Sequence, residues 1–217
     1  MLVGLWGGCC PIVIGHLMHR LFLALGVLVM LGACTVTSIS SSDDEVARAF
    51  QAHRGPAKIT LFTTINGNGG SGEHSSLMIE GRQRVIYDPA GTFRHDAIAE
   101  QHDVVYGISK TVQDTYINYH ARKQYYVQVQ EIIVPMQVAE LAIRRARAQG
   151  AVPGGKCAQA TSGVLRGLPG FEGLRQTWFP NKVAEQFAKI PGARTTVRVA
   201  YVDDKGVKQI REQQAAQ

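Results

Sequence analysis

The sequence predicts an α+β fold, an antiparallel sheet with helices packed on it, on three observations. Runs rich in β-branched and aromatic residues crowd residues 58–88 and 104–134. Helical periodicity, punctuated by Gly and Pro, then takes over to residue 189, and one more strand-like run follows at 195–202. Segregation of this kind favours an antiparallel sheet over alternating βα units. Composition agrees: 45% apolar and 18% charged residues exclude wholesale disorder, and 217 residues suit one domain with an extension. Four cysteines are too few for a disulfide-built scaffold. The net charge of +6 permits an acidic partner without requiring one.

The elements follow in order. Ser42-Asp-Asp-Glu45 fits a capping box and should start a short helix through Ala47, Phe50 and His53, closed by Gly55 and Pro56. Lys58 to Ile65 reads as a strand. After a Gly-rich loop, Asn66 to Gly72, the runs His74 to Ile79 and Gln83 to Asp88 read as a hairpin about Glu80-Gly81-Arg82. Val104 to Ile108, Val112 to Tyr119 and Gln124 to Val134 look like further strands. Pro135 suits a first helical position, with Val138, Leu141, Ala142 and Arg145 in register until Gly150. Cys157 to Leu168 is a second helix, and Asn181 to Lys189 a third, capped by Asn181. Thr195 to Val202 is the last strand.

The apolar residues are not evenly spread: from Met1 to Ala33 the only charged residue is Arg20. Met18 to Cys34 has a short basic start (His19, Arg20), an apolar run of about eleven residues (Leu21 to Leu31) and small residues before the Cys. That run is too short to span a bilayer, which takes roughly twenty residues. Met18 opens a complete signal by itself, so Met1 to Leu17 is expected to be an upstream extension. Leu31-Gly-Ala-Cys34 resembles the bacterial lipobox. The resemblance implies cleavage before Cys34, lipid on its sulfur and its amine, and attachment to a membrane surface. Thr35 rather than Asp after the Cys resembles the outer-membrane sorting pattern. The division is then 1–33 signal, 34–44 lipidated Ser-rich tether, and 45–217 folded domain.

After processing, Cys157 is the one remaining thiol, in an oxidising setting where an unpaired Cys needs a reason. It follows Pro153-Gly-Gly-Lys156 and opens a helix. Free amides and the partial positive charge of a helix start, with Lys156 alongside, favour the thiolate. The same amides suit an oxyanion. A thiol nucleophile needs a base and a group to orient it. His74 opens a strand directly after the flexible loop, and Asp88 ends the neighbouring run, so two paired strands can bring them together. Tyr87 and His95 remain rivals for the third place.

Glu73-His-Ser-Ser-Leu-Met-Ile79, then Val-Ile-Tyr-Asp88, then Gly-Gly-Lys-Cys-Ala158 at a helix start resembles the circularly permuted papain-like enzymes. These are the NlpC-type cell-wall peptidase relatives and the lecithin retinol acyltransferase-like proteins. The order His, polar residue, Cys matches, over roughly Lys58 to Lys189. The resemblance implies Cys157 as nucleophile, His74 as base and Asp88 as third residue, with no cofactor. It departs in lacking the Asn-Cys-Glu-His style surround of the acyltransferase branch, and Asp88 stands where relatives carry His or Glu.

Other patterns point elsewhere and are set aside. Gly67-Asn-Gly-Gly-Ser-Gly72 satisfies a dinucleotide fingerprint, but a strand follows instead of the required helix. It reads instead as a mobile rim over the site. His74, His95, His102 and Asp88 offer zinc-type donors without His-Glu-x-x-His spacing, so no metal is expected. Ala160-Thr-Ser-Gly163 lacks the leading Gly of a nucleophile elbow. Arg144, Arg145 and Arg147 read as a solvated helix face, or else as attraction to anionic lipid or glycan; Trp178-Phe-Pro-Asn181 reads as core packing before a helix, or else a pocket wall; and the Tyr-rich run from Tyr116 to Tyr126 reads as sheet packing. The expected protein is a monomeric, lipid-anchored envelope hydrolase facing the periplasm, on the outer membrane, with no nucleic-acid partner. It attacks amide bonds, peptidoglycan peptides first, through Cys157. The alternatives are lipid acyl transfer or deacylation with the same triad, and a non-catalytic envelope lipoprotein.

Overall fold

The chain's β-rich half builds one sheet, and its two faces divide the work of the fold. A computed structural model of the protein describes residues 40–198. The signal segment, Cys34, most of the tether and the end of the last strand-like run lie outside the described residues. Among the described residues no helix is long and apolar enough to cross a membrane.

The order is α1 (Asp43–Arg48), β1 (Lys58–Asn66), β2 (Gly72–Glu80), β3 (Arg84–Tyr87), β4 (Glu100–Gln101), β5 (Val104–Val105), α2 (Lys110–His120), β6 (Tyr125–Ile133), α3 (Met136–Gln149), α4 (Cys157–Leu165), α5 (Pro180–Ala188) and β7 (Arg194–Arg198). The fold is α+β, with a seven-stranded sheet in the order β4-β5-β3-β2-β1-β6-β7 and every pairing antiparallel. The long strands β1, β2 and β6 lie in its middle. The capping box of α1 forms as expected, with Ser42 and Glu45 bonding each other's backbone amides.

Strand alternation puts Ile59, Leu61, Leu77, Ile79, Val85 and Tyr87 on one face. There they pack with Val138, Ala142 and Ile143 of α3, Val164 and Leu165 of α4, and Val183 and Phe187 of α5. Phe62, Met78, Ile86, Val127 and Val129 line the opposite face under Tyr116 and Ile117 of α2. The sheet is therefore buried on both sides, which explains strands that read as nearly continuous apolar runs.

Four expectations need correction. Residues 112–119 form the body of helix α2, not a strand. Ser109 caps it through the Val112 amide, and Lys110 pairs with Asp114 one turn on. Its β-branched and aromatic content reflects burial of Tyr116 and Ile117 against the sheet, so tertiary packing overrides strand propensity. The 104–108 run pairs over only Val104–Val105, with Glu100–Gln101 as an unforeseen partner. Helix α5 opens at Pro180 with Phe179 in the cap position. Asn181 does not cap it, its amide donating instead to the Gly70 carbonyl at 2.9 Å. Nor is Arg145 solvated: its guanidinium donates to the carbonyls of Val164, Arg166 and Gly167 at the end of α4.

Candidate active site

The site forms where β3 falls short of β2. Their pairing runs from Glu80↔Arg84 to Leu77↔Tyr87 and stops. Beyond it Ser75 turns its backbone to α4, its carbonyl accepting from Thr161 Oγ1 at 3.0 Å and its amide bonding the Cys157 sulfur. The start of α4 thus takes the place of the missing stretch of β3. Opposite, β1 keeps pairing, with a bulge that leaves Glu73 out between Thr64↔His74 and Ile65↔Gly72. Bulges of this kind re-aim a side chain.

His74, Ser76 and Met78 share one face of β2, and Asp88, one residue beyond β3, continues the face of Ile86. That alternation sets the carboxylate against the imidazole: His74 Nε2 lies 2.7 Å from Asp88 Oδ1. Nε2 being taken, Nδ1 is the nitrogen left for the Cys157 thiol, with which the ring is hydrogen-bonded. Cys157 is 7% exposed and Asp88 1%. The sequence-predicted residues Cys157, His74 and Asp88 therefore come together, His74 hydrogen-bonded to Asp88 and interacting with the Cys157 thiol.

The rivals for the third place lie elsewhere. Tyr87 points to the opposite face, where its hydroxyl donates to the Gly150 carbonyl at 2.8 Å, and burial holds its proton on. His95 is exposed, its Nδ1 accepting from the Ala97 amide. His102 belongs to a β4–β5 turn at φ 52°. Of the four residues considered for zinc, only His74 and Asp88 meet, and His120 of α2 joins them. One donor atom from each of the three lies within 4.8 Å of the others.

Charge distribution follows from these contacts. Burial pushes the His74 imidazole down, but the Asp88 carboxylate and its hydrogen bond, and then the Cys157 sulfur, outweigh it and lift the ring to about 10. Burial likewise works against ionised Asp88, yet His74, with smaller help from His120 and Tyr116, holds its carboxyl at about 2. Burial raises the Cys157 thiol, while the His74 ring and the amides of Ser75 and Ala158 bring it below the ordinary thiol value. The combination favours a thiolate–imidazolium pair with Asp88 behind it. Ala160 is the first amide of α4 bonded to a helix carbonyl, that of Lys156, so the Cys157 amide before it is placed to face an oxyanion while that of Ala158 serves the sulfur.

Sequence reasoning missed the second layer. Tyr116 Oη lies 2.6 Å from Asp88 Oδ1 and 2.7 Å from Ser76 Oγ, so it holds the carboxylate from above. The His120 ring stacks on His74 at 5.3 Å between centroids and 9° between planes. Gly91 is also required: a Cβ there would sit 1.8 Å from Asp88 Oδ2. The signal for Tyr116 and His120 was their i, i+4 spacing, which a strand reading of residues 112–119 hides.

The outer rim is aromatic and basic. Residues 176–179 run along α4, with Thr177 exchanging hydrogen bonds with Ser162 and Gln176 donating to the Gln159 carbonyl. They carry Trp178 and Phe179, 52% and 66% exposed, so the expectation of core packing for this pair is corrected. Lys156, immediately before Cys157, has its Nζ 5.8 Å from the Trp178 ring centroid.

The chain matches no protein-family model, no curated protein and no solved structure.

Proposed function

We propose that this chain is a lipid-anchored envelope protein whose folded part is a permuted papain-like cysteine hydrolase acting on amide bonds, with peptidoglycan peptides as substrate. The observation that carries this is the line Cys157–His74–Asp88 at a helix start, with Cys157 and Asp88 buried and His74 hydrogen-bonded to Asp88. The Cys157 thiolate attacks the carbonyl carbon, and the Cys157 amide at the start of α4 stabilises the oxyanion. Protonated His74 delivers its proton to the leaving amine as the C–N bond breaks, leaving a thioester on Cys157. Neutral His74 then takes a proton from water, whose oxygen attacks the thioester. The acid leaves and the thiolate–imidazolium pair is restored. Asp88 keeps the ring oriented and its charge balanced throughout. The placement at the envelope, on the outer membrane, rests on the lipobox-like Leu31-Gly-Ala-Cys34 and on Thr35.

One observation favours a second substrate class for the same chemistry. The exposed Trp178–Phe179 pair beside Lys156 suits an acyl chain with an anionic headgroup, as in a lipid ester.

The deciding experiment is the alkylation rate of Cys157 against pH in the purified protein, with His74→Ala alongside. An ordinary thiol titrates near about 8.5, whereas a His-paired one reacts far below that. The expected result is rapid alkylation below neutral pH, moved back toward the ordinary range in His74→Ala. Product analysis then separates soluble muropeptides from free fatty acid and lysolipid, with Cys157→Ser as the inactive control. An inert Cys157, or one that titrates normally in both proteins, overturns the enzyme reading and leaves a binding or structural lipoprotein.

A further inference from the structure

We infer that His74, Asp88 and His120 form a binding site for a zinc-type divalent cation, and that the ion, once bound, switches the nucleophile's partner off. Two imidazoles and a carboxylate, with donor atoms within 4.8 Å of one another, make a borderline-soft N/N/O set that suits zinc and its first-row neighbours. Proximity alone would be weak, since His74 and Asp88 already serve the thiol. The stronger observation is His120. Its Nδ1 lies 3.0 Å from the Tyr116 carbonyl, so that nitrogen carries the proton and Nε2 keeps its lone pair. A backbone carbonyl on the far nitrogen is the outer contact that metal-binding imidazoles use to fix tautomer and ring plane. The thiol line has no task for that lone pair: His74 already has Asp88 on one nitrogen and Cys157 on the other.

The charge balance is simple. The ion replaces the proton between His74 Nε2 and Asp88 Oδ1. That proton leaves to solvent, and their 2.7 Å hydrogen bond opens to two bonds of about 2.0–2.2 Å to the metal. His120 Nε2 supplies the third bond, and water completes the shell. With Nε2 metallated and Asp88 committed, the ring keeps only its Nδ1 proton, and giving that one up would leave a metal-bound imidazolate, so His74 becomes a poor acid for the leaving group. The inhibition rests on the catalytic reading above; the binding does not.

The test is titration of the full-length protein in detergent with zinc, and with cobalt as the visible-absorbing probe, in wild type, His120→Ala, His120→Gln and Cys157→Ser. The expected result is one equivalent bound by wild type, with absorption bands typical of low-coordinate cobalt. Affinity should fall at least tenfold in both His120 variants and persist in Cys157→Ser. Circular dichroism shows which variants are folded, and having two His120 variants keeps the test open if one is not. Alkylation and hydrolysis are each measured with and without zinc in the same protein, so a variant's own rate cancels. Zinc should suppress the wild-type rates and lose potency in the His120 variants. No stoichiometric binding, equal affinity in the folded His120 variants, or binding abolished by Cys157→Ser alone overturns the site. Binding as expected in a protein whose Cys157 proves inert sustains the site and removes only the inhibition.

Discussion

Asp88 shows how much one side chain asks of its surroundings. Buried and ionised, it is stabilised by His74 and by Tyr116, both on Oδ1, while Oδ2 has no hydrogen-bond partner. That second oxygen lies against Gly91, where an added Cβ would come within 1.8 Å of it and within 2.1 Å of the carboxylate carbon. The carboxylate cannot yield easily, because its other oxygen is held from two directions. Gly91→Ala is therefore expected to push Asp88 off His74. Leaving a buried polar group short of its partners costs about 1–3 kcal/mol. Over this length that corresponds to a melting temperature lower by about 2–4 °C per kcal/mol. Cys157 alkylation near pH 6 should fall at least tenfold, because the imidazolium loses the anion that sustains it. Unchanged alkylation in Gly91→Ala would show that Asp88 does not support the His74–Cys157 pair.

At the scale of elements, the site depends on α4 taking over where β3 ends, and one hydroxyl pins that junction: Thr161 Oγ1 on the Ser75 carbonyl. Both groups are buried. Thr161→Val keeps shape but removes the donor, so the Ser75 carbonyl loses a partner at a cost of about 1–3 kcal/mol. A drop of several degrees in thermal unfolding is expected, together with slower alkylation, since the same strand residue gives its amide to Cys157. A variant as stable and as reactive as wild type would mean that other contacts set the registry of α4 on β2. This scale also explains what the sequence made legible. Strands β1, β2 and β6 are long and β-branched, and α3 carries plain periodicity, so their positions could be read directly. Cys157 was marked by the Gly-Gly-Lys before it, and His74 and Asp88 by the hairpin between them. Helix α2 was hidden because its inward residues, Tyr116 and Ile117, are strand formers buried against a sheet. The misreading concealed the Tyr116 and His120 contacts as well. Trp178 and Phe179 misled in the other direction: large aromatics before a helix suggest core, whereas hydrogen bonds along α4 hold them outward at the rim.

At the scale of the whole molecule, the chain's entry into the fold is tied to a carboxylate at the sheet edge. Ser40 bridges Gln101, and the Ser41 amide donates to the Glu100 carbonyl at 2.7 Å. The Glu100 amide in turn approaches Ser41 Oγ at 3.2 Å, and Gln101 Nε2 donates to Asp43 Oδ1 at 2.8 Å. The segment leading into α1 therefore zips onto β4 beside a nearly buried Glu100 side chain. Burial lifts that carboxyl to about 7, Arg94 at 3.0 Å partly opposes the lift, and the charges of Asp88 and Asp103 add to it. The sign follows directly. A carboxyl with a folded value above its unfolded one contributes stability that is fully present below the unfolded value, about 4.5, and lost as pH rises through about 7. The β4 edge and the Ser40–Ser41 segment paired with it should loosen between pH 5 and pH 8. Hydrogen exchange at the Ser41 and Tyr106 amides, both bonded to this edge, should quicken over that interval beyond the intrinsic rise. In Glu100→Gln the Arg94 pair is lost at every pH, but the pH-linked part disappears. The unfolding free energy of wild type relative to Glu100→Gln should accordingly decline from pH 5 to pH 8. A constant difference across that range would show that Glu100 is ionised throughout and that Arg94 alone sets the state of this edge.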